Sequence, residues 1–568
     1  MSETARPDPP GSTDSPARLA APDLVRPQEA PAPAAPARSI RARIGSNARE
    51  AACLAAIFLL AAADRLVNLP GRGIWDSDQG TEMGAIWNAV VTRQLPTFGS
   101  PAYSIGGTFH HGALFYDLMI PAAWLGNGNP TVVVFAIALF GIAVVPMVWW
   151  TARSIGGMPA GLAAALLAAV SPSLINYSTF LWNPVLVETG TALACLGAWQ
   201  AWRTRQPRWW VVAAAGTALA SQSHLTGLVL ILPMAALFAL ALRRGPSGQR
   251  RRLLGLWGLA GAGVFVLTWL PLIVYELGHN FSETRVILAF NQPDPPAAGP
   301  LVQVAFGAMR IVAWPLMHWP LDDFQSGAVL AFVASVAVVL GFVWRVAWAF
   351  EHGRPGATSA AGDEPDYERQ GLRFVGGSLL IIVLVLSLGI KEISQVGSVN
   401  QEQYHCVADV LVILGAALVV GGLWRTAGAG RAGLGRLLAV VLLAGLTALG
   451  VSHWPPLTAP DGGWPAAQAA ADRLRTDAAG GSIALVNLPT FKQADAYGYP
   501  LTLDGVLWAA PDSAATVVIL CDSGWHEGCG GVAEVDWIAT KAGGENLQLV
   551  DRFEAAPDRI LTVYRRSP

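Results

Sequence analysis

The chain has 568 residues and a formal net charge of -2, with 53% hydrophobic but only 13% charged residues. Soluble domains carry roughly 25% charge, so an ordinary soluble globular protein is excluded, and the near-neutral balance offers nothing to a nucleic-acid partner. A mean hydropathy of +0.43 and 22 tryptophans, which favour the membrane–water interface, read as a multi-pass α-helical membrane protein with polar appendages.

Residues 1–47 are rich in Pro, Ala, Ser and Asp and are predicted to form a disordered tail. No apolar stretch follows the start, so this is not a signal peptide. The first apolar run, 51–63, comes after Arg38, Arg41, Arg43 and Arg49 and reads as an uncleaved start-transfer span. Spans of about 20 apolar residues are predicted near 48–66, 130–151, 159–176, 184–202, 209–222, 225–242, 254–276, 326–348, 373–390, 404–424 and 437–453. One set of loops carries Arg153, Arg203, Arg205, Arg208, Arg243, Arg244, Arg250 to Arg252, Arg345, Arg354, Arg369, Arg373, Arg425, Arg431 and Arg436. The opposite loops carry only Arg72, Arg93, Arg285, Arg310 and Lys391. The positive-inside rule puts the basic set and the N-terminus in the cytoplasm of a plasma-membrane protein. The odd span count then places the C-terminal segment outside.

The predicted organisation is a transmembrane domain over 48–453 and an extracytoplasmic α/β domain over 454–568. Large outer loops are expected at 67–129 and 278–325. In the C-terminal domain, helices are predicted at 466–477 and 532–542. Strands are predicted at 482–488, 516–521, 547–550 and 560–564. Cys53, Cys195 and Cys406 fall in spans and read as packing residues. Cys521 and Cys529 both lie outside, where an oxidising compartment favours a disulfide. The alternative metal reading has only His526 nearby to complete it.

The first outer loop holds the candidate chemistry. The spacing of Met83, Ile86, Trp87, Val90 and Val91 predicts an amphipathic helix over 79–94, lying along the outer interface. Asp76 and Asp78 stand at its start and Glu82 in its first turn. Asp78 could simply cap that helix, yet paired carboxylates just outside a bilayer also suit chemistry on a lipid-borne substrate. His110 and His111 follow and can supply metal ligands or hydrogen bonds to a phosphate. Glu188, His224, Glu276, His405 and Asp409 lie in or beside spans, where charge is costly, and are expected to face a protein-lined cavity. His405 and Asp409, at i and i+4, are predicted to pair.

The stretch from Arg65-Leu66 through Leu69 to Asp76-Ser77-Asp78-Gln79, with His110-His111-Gly112-Ala113-Leu114-Phe115-Tyr116, resembles the GT-C membrane glycosyltransferases, particularly glycosyltransferase family 39. Asp78-Gln79 matches that family's Asp-Glu position, with Gln in place of Glu. The histidine motif matches except that the family's Pro-Pro is Gly112-Ala113, which puts the local backbone in question. Further similar stretches are 169–173 with Trp182-Asn183-Pro184, Gln222-Ser223-His224-Leu225-Thr226, and Glu402-Gln403-Tyr404-His405. The resemblance covers about 50–240, thins near 370–425, and is only architectural at the C-terminus.

What the resemblance implies is transfer of a sugar from a polyprenyl-phosphate donor, in the membrane lipid, to a protein, glycan or lipid acceptor, with inversion. It implies Asp78 as general base, with Asp76 as its alternate. His110, His111, Tyr116, Lys391, Tyr404 and His405 are then expected at the substrate and its phosphate, with Arg285 and Arg310 as further cations. Asp76, Glu82 and His110 are the expected ligands of a divalent cation, Mg or Mn. A secondary transporter or flippase would also be apolar with buried charges. It would be expected to show repeated halves, and no internal repeat is evident.

Overall fold

The computed structural model describes residues 40–104, 107–289, 299–318, 328–351, 366–394, 401–425, 432–488, 493–522, 530–543 and 546–567. It is a multi-pass helical membrane protein with a small sheet at its C-terminal end. Glu50–Pro568 form one compact unit.

Helix α1 (Ile40–Leu66) leads through α2 (Leu69–Arg72) to α3 (Ser77–Thr92) and a hairpin of β1 (Pro101–Ser104) and β2 (Gly107–His110). Next come α4 (Leu114–Leu125), α5 (Pro130–Val170) and α6 (Pro172–Asn176), then α7 (Val187–Thr204), α8 (Trp209–Ser223) and α9 (Ile231–Arg244). After α10 (Ser247–Leu254), α11 (Leu256–Gly278) and α12 (Ser282–Leu288), the chain continues through α13 (Pro300–Met317), α14 (Ala328–Glu351), α15 (Tyr367–Gly389) and α16 (Lys391–Ser394). Two short 3-10 turns, Glu402–Tyr404 and Cys406–Ala408, lead into α17 (Asp409–Arg425), and α18 (Ala432–Ser452) closes the helical body.

Seven stretches among the described residues are long and apolar enough to cross a membrane. Six of them fall on predicted spans, whereas the spans predicted at 48–66, 184–202, 209–222 and 326–348 fall on α1, α7, α8 and α14, which are not among the seven. The span predicted at 130–151 and most of that predicted at 159–176 share α5, which bends at Gly157, where φ is +76°, a value glycine tolerates without a Cβ penalty; the end of the second falls in α6. The region read as an outer loop at 278–325 instead contains α12 and α13. The α13 stretch reaches a mean hydropathy of only 1.3, against 1.9–2.7 for the other six, because Gln303 and Arg310 interrupt its apolar run; both are buried inside the protein.

Close backbone approach explains the tight α7–α8 pair. A Cβ on Gly190 would meet Ala220 N at 2.5 Å, and one on Gly216 would meet Ala194 N at 2.3 Å. Small residues at such a crossing let two apolar helices gain dispersion contact where lipid supplies no hydrophobic drive. Arg65 ties α1 to this body. Its side chain is fully buried, and it donates to the carbonyls of Ala168 and Ala169, each at 3.1 Å, and to Asp64 at 2.8 Å.

The C-terminal elements are α19 (Gly463–Ala478), β3 (Ile483–Leu488), α20 (Asp495–Leu503), β4 (Thr516–Asp522), α21 (Val532–Lys541), β5 (Leu547–Ala556) and β6 (Arg559–Arg566). The sheet order is β3-β4-β6-β5, with β3 parallel to β4 and the other pairs antiparallel. Every element predicted here is present; α20 was not anticipated. Cys521 is buried in β4 with a free thiol. Its expected partner, Cys529, and His526 lie outside the described residues.

Candidate active site

Helix α3 begins with a capping box. Asp76 is the N-cap and accepts from Asp78 N at 2.9 Å, and Gln79 Oε1 accepts from Asp76 N at 2.9 Å. The residue that caps is therefore Asp76 rather than Asp78. Gln79 completes the box. Asp76 also faces Arg559 of β6 at 3.3 Å, and Arg559 donates to Trp75 O at 2.9 Å. Asp76 thus anchors the loop to the C-terminal sheet, which does not suit it as the alternate base.

The helix does not lie bare along an interface. It is packed between α4 and α20. Met83 and Ile86 are fully buried, whereas Val91, placed on the same predicted stripe, is 63% exposed. Thr81 Oγ1 donates to Asp495 Oδ2 at 2.8 Å, and Trp75 Nε1 donates to Ala496 O at 2.7 Å. The Tyr499 hydroxyl donates to Gly128 O at 2.6 Å. The C-terminal domain therefore holds the first loop at several points.

A cavity of about 800 Å³ opens beside α3. Asp78 and Thr81 line one wall, His111 and Ser100 another, and Trp182, Asn183, His224 and Tyr404 a third. Gly389, Ile390 and Glu392, which flank Lys391, complete the rim. Stretches scattered over more than 300 positions thus meet at one place. The His111 and His224 rings lie 4.9 Å apart, and His224 lies 5.7 Å from the Tyr404 ring. Burial holds both histidines neutral: it lowers His111 to about 4 and His224 well below the usual histidine range. They can serve as hydrogen-bond donors or acceptors to a phosphate, not as cations. His224 Nδ1 is 2.8 Å from Thr226 Oγ1, while His111 Nδ1 has no hydrogen-bond partner among the described residues.

Several expected site residues stand elsewhere. His110 stacks on Phe98 at 4.7 Å and pairs with Glu283, to which its backbone N–H also donates at 2.7 Å. Glu82 is buried against Ser100 and Tyr116, and burial pushes its carboxyl up to about 7. Tyr116 is buried with it, behind the cavity wall. Asp76, Glu82 and His110 therefore face three different partners and do not form the expected metal set. No cluster of three candidate metal ligands occurs among the described residues. His405 is fully buried near Trp314, with ring centroids 6.0 Å apart, and does not reach the cavity. Asp409 turns from His405 to Ser173, whose hydroxyl is 2.6 Å from it and 3.2 Å from Glu188. Glu276 caps α12, accepting from Glu283 N and Thr284 N at 2.9 Å each. Arg310 donates to the carbonyls of Glu392 and Ile393, and Arg285 to that of Asn280. Thr81, Ser100, Gln403 and Gln493 also line the cavity. Thr81 carried a signal in retrospect, one turn after Asp78 on the same helix; Gln493 had none.

Residues 114–275 match the family model described as dolichyl-phosphate-mannose-protein mannosyltransferase. No curated protein matches the chain. Among solved structures, the apo form of ArnT from Cupriavidus metallidurans superposes with a TM-score of 0.54 at 12% identity, covering 92% of this chain and 98% of that one. The form of the same protein bound to undecaprenyl phosphate gives 0.53 at 12%, covering 91% and 98%. The fold is therefore that of the GT-C-type membrane glycosyltransferases. Within it, the segment from α4 to α11 carries the mannosyltransferase-family pattern.

Proposed function

We propose that this protein transfers a sugar from a polyprenyl-phosphate donor to an acceptor hydroxyl in the cavity beside α3, on the extracytoplasmic side of the plasma membrane. The observation that carries the reading is the meeting of Asp78 with the neutral His111–His224 pair and Tyr404 in one enclosed space at a helix-end rim. The acceptor O–H attacks the anomeric carbon as the carbon–oxygen bond to the phosphate breaks. The leaving electron pair stays on the phosphate oxygen, and the acceptor proton passes to Asp78. One displacement inverts the anomeric centre. The histidine and Tyr404 groups hydrogen-bond the phosphate, and Lys391, between the cavity-lining Ile390 and Glu392, supplies the positive charge. The scheme uses no cation held by Asp76, Glu82 and His110, because those side chains are engaged separately.

The test offers purified protein a panel of polyprenyl-phosphate sugars with an acceptor lysate, with and without a chelator. Release of polyprenyl phosphate is expected in both arms. Asp78→Asn should lower it by about 10²-fold or more, the contribution typical of a general base. Unchanged turnover in that variant would sink the base assignment. Chelator-sensitive turnover restored by Mn would overturn the metal-free scheme, and no turnover of any donor would favour transport.

A further inference from the structure

On the other side of α3 lies a second cavity, of about 590 Å³, between this helix and the C-terminal domain. Gly80, Gly84, Asn88 and Val91 line it along one face of α3, and Leu485, Asp495, Tyr499, Thr502 and Trp508 line it from the C-terminal domain. Gly80 brings the elements together: a Cβ there would meet Asp495 O at 2.1 Å. One turn later Gly84 has open space around it, which makes the floor of a groove. Trp508 is 46% exposed on the wall, an indole face turned partly to solvent, and Trp87 lines the groove as well.

The chemistry of this lining selects among ligands. Among the described residues it contains no cation, which disfavours an anionic headgroup. Asp495, Asn88 and Thr502 interrupt the apolar surface, which disfavours an acyl tail. Strand addition by a peptide is obstructed at the β3 edge, because Ile483 N already donates to Leu507 O and Ala509 N to Ile483 O. What remains suited is a neutral, hydroxyl-rich ring: its C–H faces stack on indole and its hydroxyls bond to carboxyl, amide and hydroxyl groups.

The groove also adjoins the proposed reaction site. Gln493 lines the first cavity, while Ala494 and Asp495 line the groove. Thr81, in the first cavity, donates to Asp495. We propose that this groove is a saccharide-binding subsite for the acceptor, holding a sugar unit through Trp508, Trp87, Asp495 and Asn88 next to the reaction cavity. The inference rests on the transferase reading for the role of the bound sugar, not for its binding.

The test is saturation-transfer NMR on the full chain in detergent, with soluble oligosaccharides of mannose, arabinose, glucose and N-acetylglucosamine as probes. At least one should bind. Trp508→Ala should weaken it up to about tenfold, the size of an aromatic contact, and Trp508→Tyr should restore most of it. Absence of binding by every probe, or equal binding to Trp508→Ala and wild type, overturns the subsite. So does a Ser/Thr peptide that binds in a Trp508-dependent way where the sugars do not. Trp508-dependent sugar binding with no donor turnover would leave the groove standing and remove the transferase. Donor turnover with no such binding would do the reverse.

Discussion

Glu82 and His111 lie within one turn of chain from the cavity wall and carry opposite titration signatures. Glu82 keeps its proton up to about 7 because burial penalises the carboxylate, whereas in the unfolded chain it loses it near its ordinary 4.5. The folded state then binds more protons between those values, so Glu82's contribution to stability falls as pH rises through that window. His111 is the converse. It stays neutral down to about 4, so its contribution is complete above its ordinary 6.5 and is lost as pH falls towards 4. In wild type the two partly cancel. Comparing Glu82→Gln with wild type removes the cancellation: the difference in Tm should move in the variant's favour between about pH 4.5 and pH 7. A difference that is flat with pH would show that Glu82 titrates normally. None of this was legible beforehand. Adjacent histidines and a nearby glutamate looked alike as ligands, and only their burial against Glu283, Ser100 and Tyr116 separated their roles.

At the scale of elements, α3 and α20 carry the site between them. The period of apolar residues revealed α3, yet its neighbours were invisible because α20 lies some 400 positions away. Gly80→Ala tests this contact. Its Cβ would be driven into the Asp495 carbonyl, and overpacking of this kind costs about 1–3 kcal/mol. Thermal unfolding should show that loss, and donor turnover should fall with it as Asp78 and Thr81 are displaced. Gly84→Ala, one turn away with open space around its Cβ position, should leave thermal stability at or above wild type, since alanine is the better helix former; equal losses in both variants would show that the Asp495 contact is not the cause.

For the whole molecule, the fully buried cation that ties the first helix to the body is Arg65. Arg65 is fully enclosed among backbone carbonyls and Asp64. Arg65→Ala strands those acceptors and a buried carboxylate, a loss of about 3–5 kcal/mol for a broken buried pair, to be read from the thermal denaturation of purified protein. A variant as stable as wild type would show that the contact carries no net energy. The orientation read from arginine distribution is tested separately. With the native cysteines replaced, Asp512→Cys, on an exposed turn of the C-terminal domain, should react with a membrane-impermeant thiol reagent added to intact cells. Labelling only after lysis would invert the proposed topology.

Composition, apolar run length and arginine asymmetry are properties of local stretches, and they suffice to identify a multi-pass helical chain with an α/β appendage, because a bilayer imposes span length and forbids unpaired backbone groups. Motif order was likewise enough to suggest the glycosyltransferase class and to put Asp78, His111 and Tyr404 among the candidate site residues. The division of labour within the first loop was decided only by tertiary contacts. Asp76 became a cap and an anchor because Arg559 meets it, and His110 was drawn to Glu283. His405 and Tyr116 were buried behind the wall, and α13 formed where the hydropathy was too low to announce it. Each outcome depends on a partner far away in the chain, and a carboxylate or imidazole acquires its role from the charge, water and hydrogen bonds that such partners leave around it.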